Sequence, residues 1–307
     1  MNSPEELANT SCGFIALVGA PNAGKSTLLN SLVGTKVSIV THKAQTTRSQ
    51  VRGVLTLDQA QLVFIDTPGI FAPKRRLDRA MVESAWGGAG DADLVAFIID
   101  AERGITPDIE GLLEGLENVR QPKVLILNKI DAVKHESLLA LSQTLNECLR
   151  FEATFMLSAL KGHGVKDFID WCVKHIPPGP WHFPEDHLTD LTMAITAAEI
   201  TREKLFLRVH DEIPYNATVE TESFKIQKDG SYKIDQVVYL ARESHKKIVL
   251  GAGGQTIKAI GAEARKELME MYEVPIHLFL FVKVREKWAD DPERYREMGL
   301  EFPHGKN

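Results

Sequence analysis

The sequence predicts an α/β protein with two domains, an open and mostly parallel sheet with helices on both faces and then a smaller α+β domain. Three observations support this prediction. The chain of 307 residues is long enough to form two separate hydrophobic cores. Short apolar runs alternate with segments of helical periodicity over residues 13–176. A proline-rich stretch follows, and the pattern of predicted elements changes beyond it.

The first domain is predicted from runs that are apolar throughout, which is typical of strands buried on both faces. These runs are Phe14–Val18, Leu62–Ile65, Leu94–Ile99 and Val124–Leu127. Helical periodicity predicts helices over Lys25–Val33, Asp108–Val119, Ser137–Leu149 and Val165–Lys174. Because ligands bind at the carboxyl ends of parallel strands in such folds, we expect the functional residues there. Residues 1–12 are predicted to form an N-terminal extension.

The second domain begins after a segment with four prolines between Pro177 and Pro184, which cannot sustain a helix or a sheet ladder. We place a linker over residues 177–188 and the second domain, with a C-terminal tail, over residues 189–307. Its predicted elements include a helix near Met193–Phe206, a hairpin of strands Thr218–Ile226 and Tyr232–Leu240 around Lys228–Ser231, and a last strand Ile276–Val284.

Composition excludes several classes of protein. The net charge of −6 argues against a non-specific polyanion binder, although a local basic patch remains compatible with it. Three widely spaced cysteines, Cys12, Cys148 and Cys172, are expected to be reduced packing residues rather than zinc ligands. No apolar run approaches the about 20 residues of a bilayer span, and no early segment has the features of a signal peptide. We expect a cytoplasmic protein.

A glycine-rich loop links the first predicted strand to the first predicted helix. Its pattern, G-x-x-x-x-G-K-S, is typical of a loop whose backbone N–H groups surround phosphate oxygens at a helix N-terminus. We expect Lys25 to reach the β- and γ-phosphates and Ser26 to bind magnesium through its hydroxyl. The predicted phosphate-binding residues of this loop are Gly19, Ala20, Pro21, Asn22, Ala23, Gly24, Lys25, Ser26 and Thr27.

A second phosphate and magnesium element is predicted where the run Leu62–Ile65 ends, at Asp66, Thr67, Pro68, Gly69 and Ile70. The Asp66 carboxylate can hold the metal, and Gly69 allows a backbone N–H to approach the γ-phosphate. Upstream lies a polar switch segment, Gln45, Thr46, Thr47, Arg48 and Ser49. One of its threonines is expected to complete the magnesium shell. Thr47 is our choice, with Thr46 as the alternative.

A guanine-binding element is predicted after the run Val124–Leu127. Asp131 can accept two hydrogen bonds from N1–H and the 2-amino group of guanine, and adenine has neither donor. The expected base-contacting residues are Asn128, Lys129, Ile130 and Asp131, together with Ser158, Ala159 and Leu160, whose backbone N–H groups can donate to the guanine O6 atom. Asn128 is also expected to tie this loop to the phosphate loop, and the Lys129 stem to lie along the base.

The ordered motifs GAPNAGKS, QTTRS, DTPG, NKID and SAL resemble the G-box series of the translation-factor-related GTPases, and among these the Era family. The resemblance covers nearly the whole chain apart from the first dozen residues and the extreme C-terminus. It implies a P-loop GTPase domain followed by a type II KH domain. It also implies a Mg²⁺-dependent GTPase that binds the 3′ region of 16S rRNA and acts in assembly of the 30S ribosomal subunit.

Hydrolysis is expected to be slow, because Ile70 occupies the place of the glutamine that orients water in Ras-like enzymes. Catalysis is then expected to rest on positioning and charge from Lys25, Thr47 and Gly69. Relatives with an asparagine at the position of Asn22 can bind K⁺ near the phosphates. The alternative is that Asn22 only stabilises the loop turn. A catalytic arginine is also conceivable, but Arg48 and the basic residues of Lys74–Arg79 are expected to be solvated or to face RNA.

The second domain contains Gly251, Ala252, Gly253 and Gly254 between two helical segments, and G-x-x-G is the backbone clamp of KH domains. Between Arg242 and Lys287 nine Lys or Arg accompany six Glu, which suits a polyanion. The other predicted RNA-binding residues are Lys246, Lys247, Lys258 and Arg265. The loop lacks the basic or polar residue that relatives often carry inside it. Trp288 is expected to cap the core rather than to stack on a base.

Three functions are compatible with these motifs. The first is a GTPase switch that couples its nucleotide state to binding of 16S rRNA, transmitted through Lys74–Arg79. The second is an RNA-binding assembly scaffold in which the nucleotide is structural. The third is a GTPase at the inner face of the cell membrane that regulates division or stress, because relatives associate peripherally with membranes. No basic amphipathic helix favours the third. We expect a monomer.

Overall fold

The computed structural model describes residues 10–286 and 288–303, so residues 1–9 of the predicted N-terminal extension lie outside the described part. Within these ranges the chain forms two packed units. The first comprises residues 10–38, 47–190 and 298–303, and the second comprises residues 39–46 and 191–297. The predicted division was contiguous, and the structure differs from it. Residues 39–46 pack with the second unit, and the described residues 10–12, 177–190 and 298–303 pack with the first.

The first unit contains a six-stranded sheet with the order β2-β3-β1-β4-β5-β6. Only β2 runs antiparallel to its neighbour β3, and the other pairs are parallel. The carboxyl ends of the parallel strands therefore lie along one edge of the sheet. The strands are β1 (Ser11–Val18), β2 (Val51–Leu57), β3 (Ala60–Asp66), β4 (Leu94–Asp100), β5 (Lys123–Asn128) and β6 (Ala153–Leu157).

The described part of the first unit contains five α-helices, and its strands β3 and β4 are buried along their whole length. That burial is the reason for their uninterrupted apolar sequence. The helices are α1 (Lys25–Val33), α2 (Arg76–Asp91), α3 (Pro107–Glu117), α4 (His135–Cys148) and α5 (Val165–His175). The sequence predicted all of these elements except β2, α2 and β6.

The predicted proline-rich linker packs against the first unit. Pro177 and Gly179 pair with the start of β1 through backbone hydrogen bonds of 3.2 Å and 3.0 Å. Further along, the Val54 N–H donates to the Leu188 carbonyl at 3.0 Å. Between these two contacts, the Gln61 side-chain oxygen accepts hydrogen bonds from the backbone N–H groups of His182 and Phe183. Because the polar backbone is satisfied in this way, the segment stays with the first unit up to Asp190.

The second unit contains a three-stranded sheet with the order β7-β8-β9, in which β7 and β8 are antiparallel and β8 and β9 parallel. Helices pack on one face of this sheet around a core that includes Leu205, Val238, Val249 and Ile260. The elements are α6 (Met193–Arg208), β7 (Ala217–Ile226), β8 (Tyr232–Leu240), α7 (Glu243–Leu250), α8 (Gln255–Tyr272), β9 (Ile276–Val284) and α9 (Pro292–Glu297). None of the described helices combines the length and apolar character needed to cross a bilayer.

Candidate functional site

The phosphate loop leaves β1 at Gly19 and enters α1 at Lys25. Gly24 has a left-handed φ of 97°, and a Cβ atom there would lie 2.2 Å from the Asn128 amide nitrogen, so this position requires glycine. The Lys25 ammonium is buried and donates to the carbonyls of Gly19 and Ala20, at 3.0 Å each. Burial lowers the pKa of Lys25 to about 8, and the nearby Asp66 carboxylate opposes this shift.

A cluster of hydroxyl groups surrounds the buried carboxylate of Asp66 at the end of β3. Its Oδ2 atom accepts from Ser26 Oγ at 2.6 Å, from Ser38 Oγ at 2.9 Å and from Thr47 Oγ1 at 3.3 Å. The Ser26 and Thr47 hydroxyls are also 2.9 Å apart. Three segments that are distant in sequence therefore bring oxygen atoms to one point.

The Asp66 carboxylate also has an unused oxygen. Its Oδ1 atom is buried and, within the described part of the chain, has no hydrogen-bond partner. Burial raises the pKa of Asp66, and Lys25 and the three hydroxyls only partly offset this rise. Carboxylate and hydroxyl oxygens are the ligands that Mg²⁺ prefers, so the side chains of Ser26, Thr47 and Asp66 fit this cation.

The two threonines of the switch segment differ in position. Thr47 lies in the cluster described above, whereas the Thr46 hydroxyl bonds to Thr41 at 2.6 Å and to the Lys43 carbonyl at 2.7 Å, within the second unit. This geometry favours Thr47 over Thr46. Gln45 has a left-handed φ of 57°. Arg48 is only 4% exposed, so the expectation of a solvated side chain is wrong for this residue.

The segment after β3 packs closely on the phosphate loop. The Ile70 N–H donates to the Gly19 carbonyl at 3.2 Å, and the Thr67 hydroxyl donates to the Leu17 carbonyl at 2.7 Å. A Cβ atom on Gly69 would lie 2.9 Å from the Pro21 backbone, so a larger residue would push the two loops apart. The Ile70 side chain is buried in the hydrophobic core and carries no polar group that could orient water.

Asn128 joins three loops at the other end of the site. Its side-chain amide donates to the Ala23 carbonyl at 2.9 Å, which is the predicted tie to the phosphate loop. Its Oδ1 atom accepts from the backbone N–H groups of Lys129 at 2.8 Å and Ala159 at 3.0 Å. The side chain is 2% exposed. Asn128 therefore holds the strand ends of β5 and β6 and the phosphate loop in one arrangement.

The remaining base-loop residues lie beside Asn128. Lys129 has a left-handed φ of 66°, and its ammonium pairs with the Asp100 carboxylate at 2.6 Å. A hydrogen bond with Ser158 lowers the pKa of Asp131, so this exposed carboxylate is held as a charged acceptor. The Lys161 N–H donates to the Ser158 hydroxyl at 3.2 Å, which shapes the loop that contains Ala159 and Leu160.

Two residues of this site escaped the sequence reasoning. Ser38 lies in the apolar run Val37–Val40 with no motif, and no signal in the sequence indicates that its hydroxyl bonds to Asp66. Asp100 ends the buried strand β4, so the rule that strand ends carry functional groups could have identified it. Its partner Lys129 is the residue that the sequence assigned to the guanine base.

The G-x-x-G loop of the second unit lies between α7 and α8. Gly251 adopts φ 70° and ψ 177°, while Gly253 and Gly254 are left-handed with φ values of 58° and 79°. Among the predicted RNA-binding side chains, Lys247, Lys258 and Arg265 are exposed and Lys246 is half-buried. Trp288 is 1% exposed and its indole N–H donates to the Asn216 carbonyl at 3.0 Å, which confirms that it caps the core.

Residues 39–46, which end within the predicted switch segment, pack on α6 in the second unit. The Val40 N–H donates to Glu203 Oε1 at 2.8 Å, and Arg202 donates to the Thr46 carbonyl at 2.6 Å. The Lys43 ammonium donates to the carbonyls of Phe206 and Val209, at the C-terminus of α6. By contrast, Lys74–Arg79 lies in the first unit, where the backbone N–H groups of Lys74 and Arg75 donate to Asp78 at the start of α2.

Comparison with known proteins finds a family match within each of the two units. Residues 14–129 match the family described as 50S ribosome-binding GTPase, and residues 212–289 match the KH domain family. GTPase Era of Mesorhizobium japonicum is 63% identical over 97% of this chain and 96% of its own length. The chain belongs to the Era family of GTPases. GTPase Era of Brucella suis biovar 1 is 61% identical over 97% of this Era-family chain and 96% of its own.

Solved Era structures match nearly the full length of this chain. Era in complex with MgGDPNP and nucleotides 1506–1542 of 16S ribosomal RNA matches with a TM-score of 0.89 and 37% identity, covering 95% of this chain and 99% of that one. A point variant of Aquifex aeolicus Era bound to GDP·AlF4⁻ also gives a TM-score of 0.89 at 37% identity, covering 94% and 99%. The predicted fold class, a GTPase domain followed by a KH domain, is confirmed.

Proposed function

We propose that this Era-family GTPase is a switch that binds single-stranded RNA in the 3′ region of 16S rRNA and assists assembly of the 30S subunit. One observation carries the proposal. A single sheet edge brings together the phosphate loop, Asp66, Thr47 and Asn128, and the same chain contains a G-x-x-G clamp. The Era structure with MgGDPNP and a 16S rRNA fragment matches both parts of the chain together.

The GTP phosphates are proposed to occupy the loop in which Lys25 now bonds to backbone carbonyls. A phosphate oxygen can replace those carbonyls as the acceptor and restore full charge to the ammonium. Mg²⁺ would be held by Ser26, Thr47 and Asp66, and it would neutralise charge on the β- and γ-phosphates. The remaining proposed phosphate contacts are Gly19, Ala20, Pro21, Asn22, Ala23, Gly24, Thr27, Thr67, Pro68, Gly69 and Ile70.

The base is proposed to be guanine, recognised by Asp131 and by the backbone of Ser158, Ala159 and Leu160. Calorimetry with GTP and ATP tests this assignment. We expect GTP to bind and ATP to bind at least about 100-fold more weakly, because several polar contacts of about 1–3 kcal/mol each would be unmatched. Asp131→Ala should lower GTP affinity about 10-fold or more, and the matched surface variant Glu117→Ala should leave it unchanged. Equal affinity for GTP and ATP would contradict the proposal.

Hydrolysis is proposed to be slow, with Lys25, Thr47 and Gly69 positioning the phosphates and stabilising charge. Ile70 provides no hydrogen bond to a water molecule. Asn22 is proposed to hold K⁺ beside the phosphates. The alternative, a role in the loop turn, is supported by its left-handed φ of 65°, a conformation that asparagine tolerates better than most residues.

Single-turnover hydrolysis in K⁺ and in Na⁺ separates these two roles of Asn22. If Asn22 holds K⁺, the wild-type rate in K⁺ exceeds that in Na⁺, and Asn22→Gly abolishes the difference. Glycine is the control residue because it retains the left-handed turn while removing the amide oxygen. Equal rates of the wild type in the two salts would assign Asn22 to the turn alone.

RNA is proposed to bind at Gly251, Ala252, Gly253 and Gly254, where exposed backbone can approach phosphates closely. Lys246, Lys247, Lys258 and Arg265 would neutralise neighbouring phosphates. Ala252 and Gly253 supply no charged side chain inside the loop, so the flanking helices must supply the charge. A Gly254→Asp variant places a carboxylate in the clamp, and we expect it to abolish binding of the fragment of nucleotides 1506–1542 while GTP binding is retained.

Nucleotide state is proposed to reach the second unit through residues 39–46. Ser38 and Thr47 flank this segment and both bond to Asp66, whereas the segment between them packs on α6. Loss of the γ-phosphate would release Thr47 and thereby alter the restraint on the segment. The expected cytoplasmic monomer, and peripheral membrane association as its alternative, stay predictions.

A further inference from the structure

Two large aromatic side chains project from the outer face of the second unit's sheet. On the edge strand β9, residues alternate between the face covered by α6–α8 and the outer face, and Phe279 and Phe281 lie on the outer one. Helix α9 covers another part of the outer face, where Arg294 contacts Tyr239 and Glu220. They are 47% and 52% exposed. Burial of an aromatic side chain is strongly favourable, so two adjacent exposed rings on one strand indicate a surface that a ligand covers.

The surroundings of Phe279 combine an aromatic ring with polar and charged groups, which suits a ligand that is both flat and polar. The Lys233 ammonium lies 5.5 Å from the centre of the Phe279 ring. In the register of β8 and β9, residue Lys233 is opposite His277. A surface hollow of about 530 Å³ opens beside the ring. The hollow is lined by the Phe279 ring and by polar groups that can donate or accept hydrogen bonds. These polar residues are Gln227, Lys228, Asp229, Ser231, Lys233 and His277.

The charges on this face favour an anionic ligand. Three of the acidic groups described on this face are paired with cations, Glu222 with Lys283 at 2.9 Å, Glu220 with Arg294 and Asp235 with Lys233 at 3.6 Å, while Asp229 accepts from the Ser231 hydroxyl at 2.7 Å. Within the part of the chain that the structure describes, no ion pair involves two further lysines, Lys225 and Lys228. An RNA strand, with a flat base and a phosphate at each step, matches this combination of aromatic rings and lysines.

We propose that this outer face is a second RNA-binding surface, on which one base stacks on Phe279 and a neighbouring base on Phe281, with Lys225 and Lys228 near the phosphates. The proposal rests on the proposed function, because the strand would continue from the G-x-x-G clamp. Helices α7 and α8, which flank the clamp, pack against β9, and β9 is an edge strand of the sheet. A strand that leaves the clamp therefore reaches the outer face by crossing a single edge.

The test compares RNA affinities of full-length variants by fluorescence anisotropy, with a labelled RNA of nucleotides 1506–1542 of 16S rRNA as the probe. In Phe279→Leu/Phe281→Leu the apolar bulk remains and the flat ring faces are removed. We expect the dissociation constant to rise at least about tenfold, as base stacking on aromatic side chains predicts. GTP affinity and the unfolding temperature should be unchanged. Leu139→Ala, which removes a 66% exposed leucine from α4, is the matched control and should bind as the wild type does.

A second variant tests the charges. Lys225→Gln/Lys228→Gln should weaken RNA binding and reduce the slope of log Kd against log salt by about 0.7 for each phosphate that the variant no longer neutralises. Photo-crosslinking with 4-thiouridine RNA should place a crosslink within Ile276–Val284 of the wild type.

The outcomes separate this proposal from the proposed function. If the wild-type protein does not bind the RNA, the proposed function itself fails. If the wild type binds, Gly254→Asp does not, and Phe279→Leu/Phe281→Leu binds as tightly as the wild type, the clamp stands and the second surface is overturned. Unchanged RNA affinity together with abolished binding to small-subunit particles would assign the face to a ribosomal protein, which also overturns the proposal.

Discussion

The buried pair of Lys25 and Asp66 shows how single residues prepare the nucleotide site. Burial lowers the pKa of Lys25 to about 8 and raises the pKa of Asp66, so the folded protein disfavours both charges. Their present partners are neutral carbonyls and hydroxyls. A triphosphate and a divalent cation would supply the opposite charges that these groups lack, so ligand binding relieves a penalty that folding imposes.

The pKa of Lys25 predicts how GTP affinity depends on pH. A bound phosphate favours the ammonium and raises its pKa above the value of about 8 in the free protein. Binding therefore takes up a proton above that pH, and affinity is fully present below pH 8 and falls as pH rises. Calorimetry between pH 7 and 9 should show a decline that approaches tenfold per unit at the upper end.

Lys25→Met is the control for this pH dependence. It should bind GTP more weakly at every pH but lose the decline, because the titrating group is absent. Urea unfolding of the wild type and of Lys25→Met as a function of pH provides an independent check. Because the pKa of Lys25 is lowered in the folded state, the contribution of Lys25 to stability should increase as pH rises from about 8 toward 10.5. A wild-type affinity that stays constant across pH 7–9 would refute the assigned role of Lys25.

The turn between α7 and α8 depends on glycine to different degrees at its different positions. Gly251 combines φ 70° with ψ 177°, a region that other residues avoid, and a Cβ atom there would lie 2.2 Å from the Thr256 hydroxyl. Gly253 is left-handed, but a Cβ atom there would meet nothing within 4 Å. The two glycines of one loop therefore differ in how much a methyl group disturbs them.

This difference predicts unequal effects of alanine in the loop. Gly251→Ala should destabilise the second unit by about 3 kcal/mol, from backbone strain and the clash with Thr256. Gly253→Ala should cost about 1 kcal/mol, the penalty of a left-handed alanine. Urea unfolding of the full chain, followed by a signal from the second unit, measures both values. Equal effects of the two variants would show that the turn does not have the described conformation.

At the scale of the whole molecule, residues 39–46 join the two units through the chain itself. Lys43 donates to two carbonyls at the C-terminus of α6, where a cation also interacts favourably with the helix dipole. Both the segment and α6 belong to the second unit, while the residues on either side of the segment bond to Asp66 in the first. A change at the hydroxyl cluster around Asp66 therefore has a short covalent route to the second unit.

Lys43→Met should uncouple RNA affinity from nucleotide state. We expect RNA to bind the wild type more tightly with GDPNP than with GDP, and the ratio of the two affinities to approach one in the variant. Methionine retains the apolar stem and removes only the ammonium donors. GTP affinity should not change, because Lys43 lies outside the phosphate and base loops.

Lys174→Met is the matched control, since it removes an exposed lysine from α5 in the first unit and should leave the ratio as in the wild type. Anisotropy with the labelled RNA in each nucleotide state gives both affinities. If Lys43→Met retained the full wild-type ratio, coupling through residues 39–46 would be excluded.

Sequence reasoning identified the elements that bury an uninterrupted apolar face. The strands β3 and β4 are buried along their length, so their sequences are apolar and short. The edge strand β2 contains Arg52 and is partly exposed, and its sequence does not stand out. Helix α2 also escaped prediction, because many of its buried positions are small residues such as Ala85 and Ala89, which give weak periodicity.

The sequence by itself determined the fold class, the order of the phosphate, metal and base loops, and the glycine clamp. These depend on local spacing and on the rule that parallel strands end at one edge of a sheet. Only the tertiary structure decided that Ser38 bonds to Asp66, that residues 39–46 pack on α6, and that Phe279 and Phe281 remain exposed. Each of these depends on which distant segments pack together, and contacts between distant segments produce no periodic pattern of residues in the sequence.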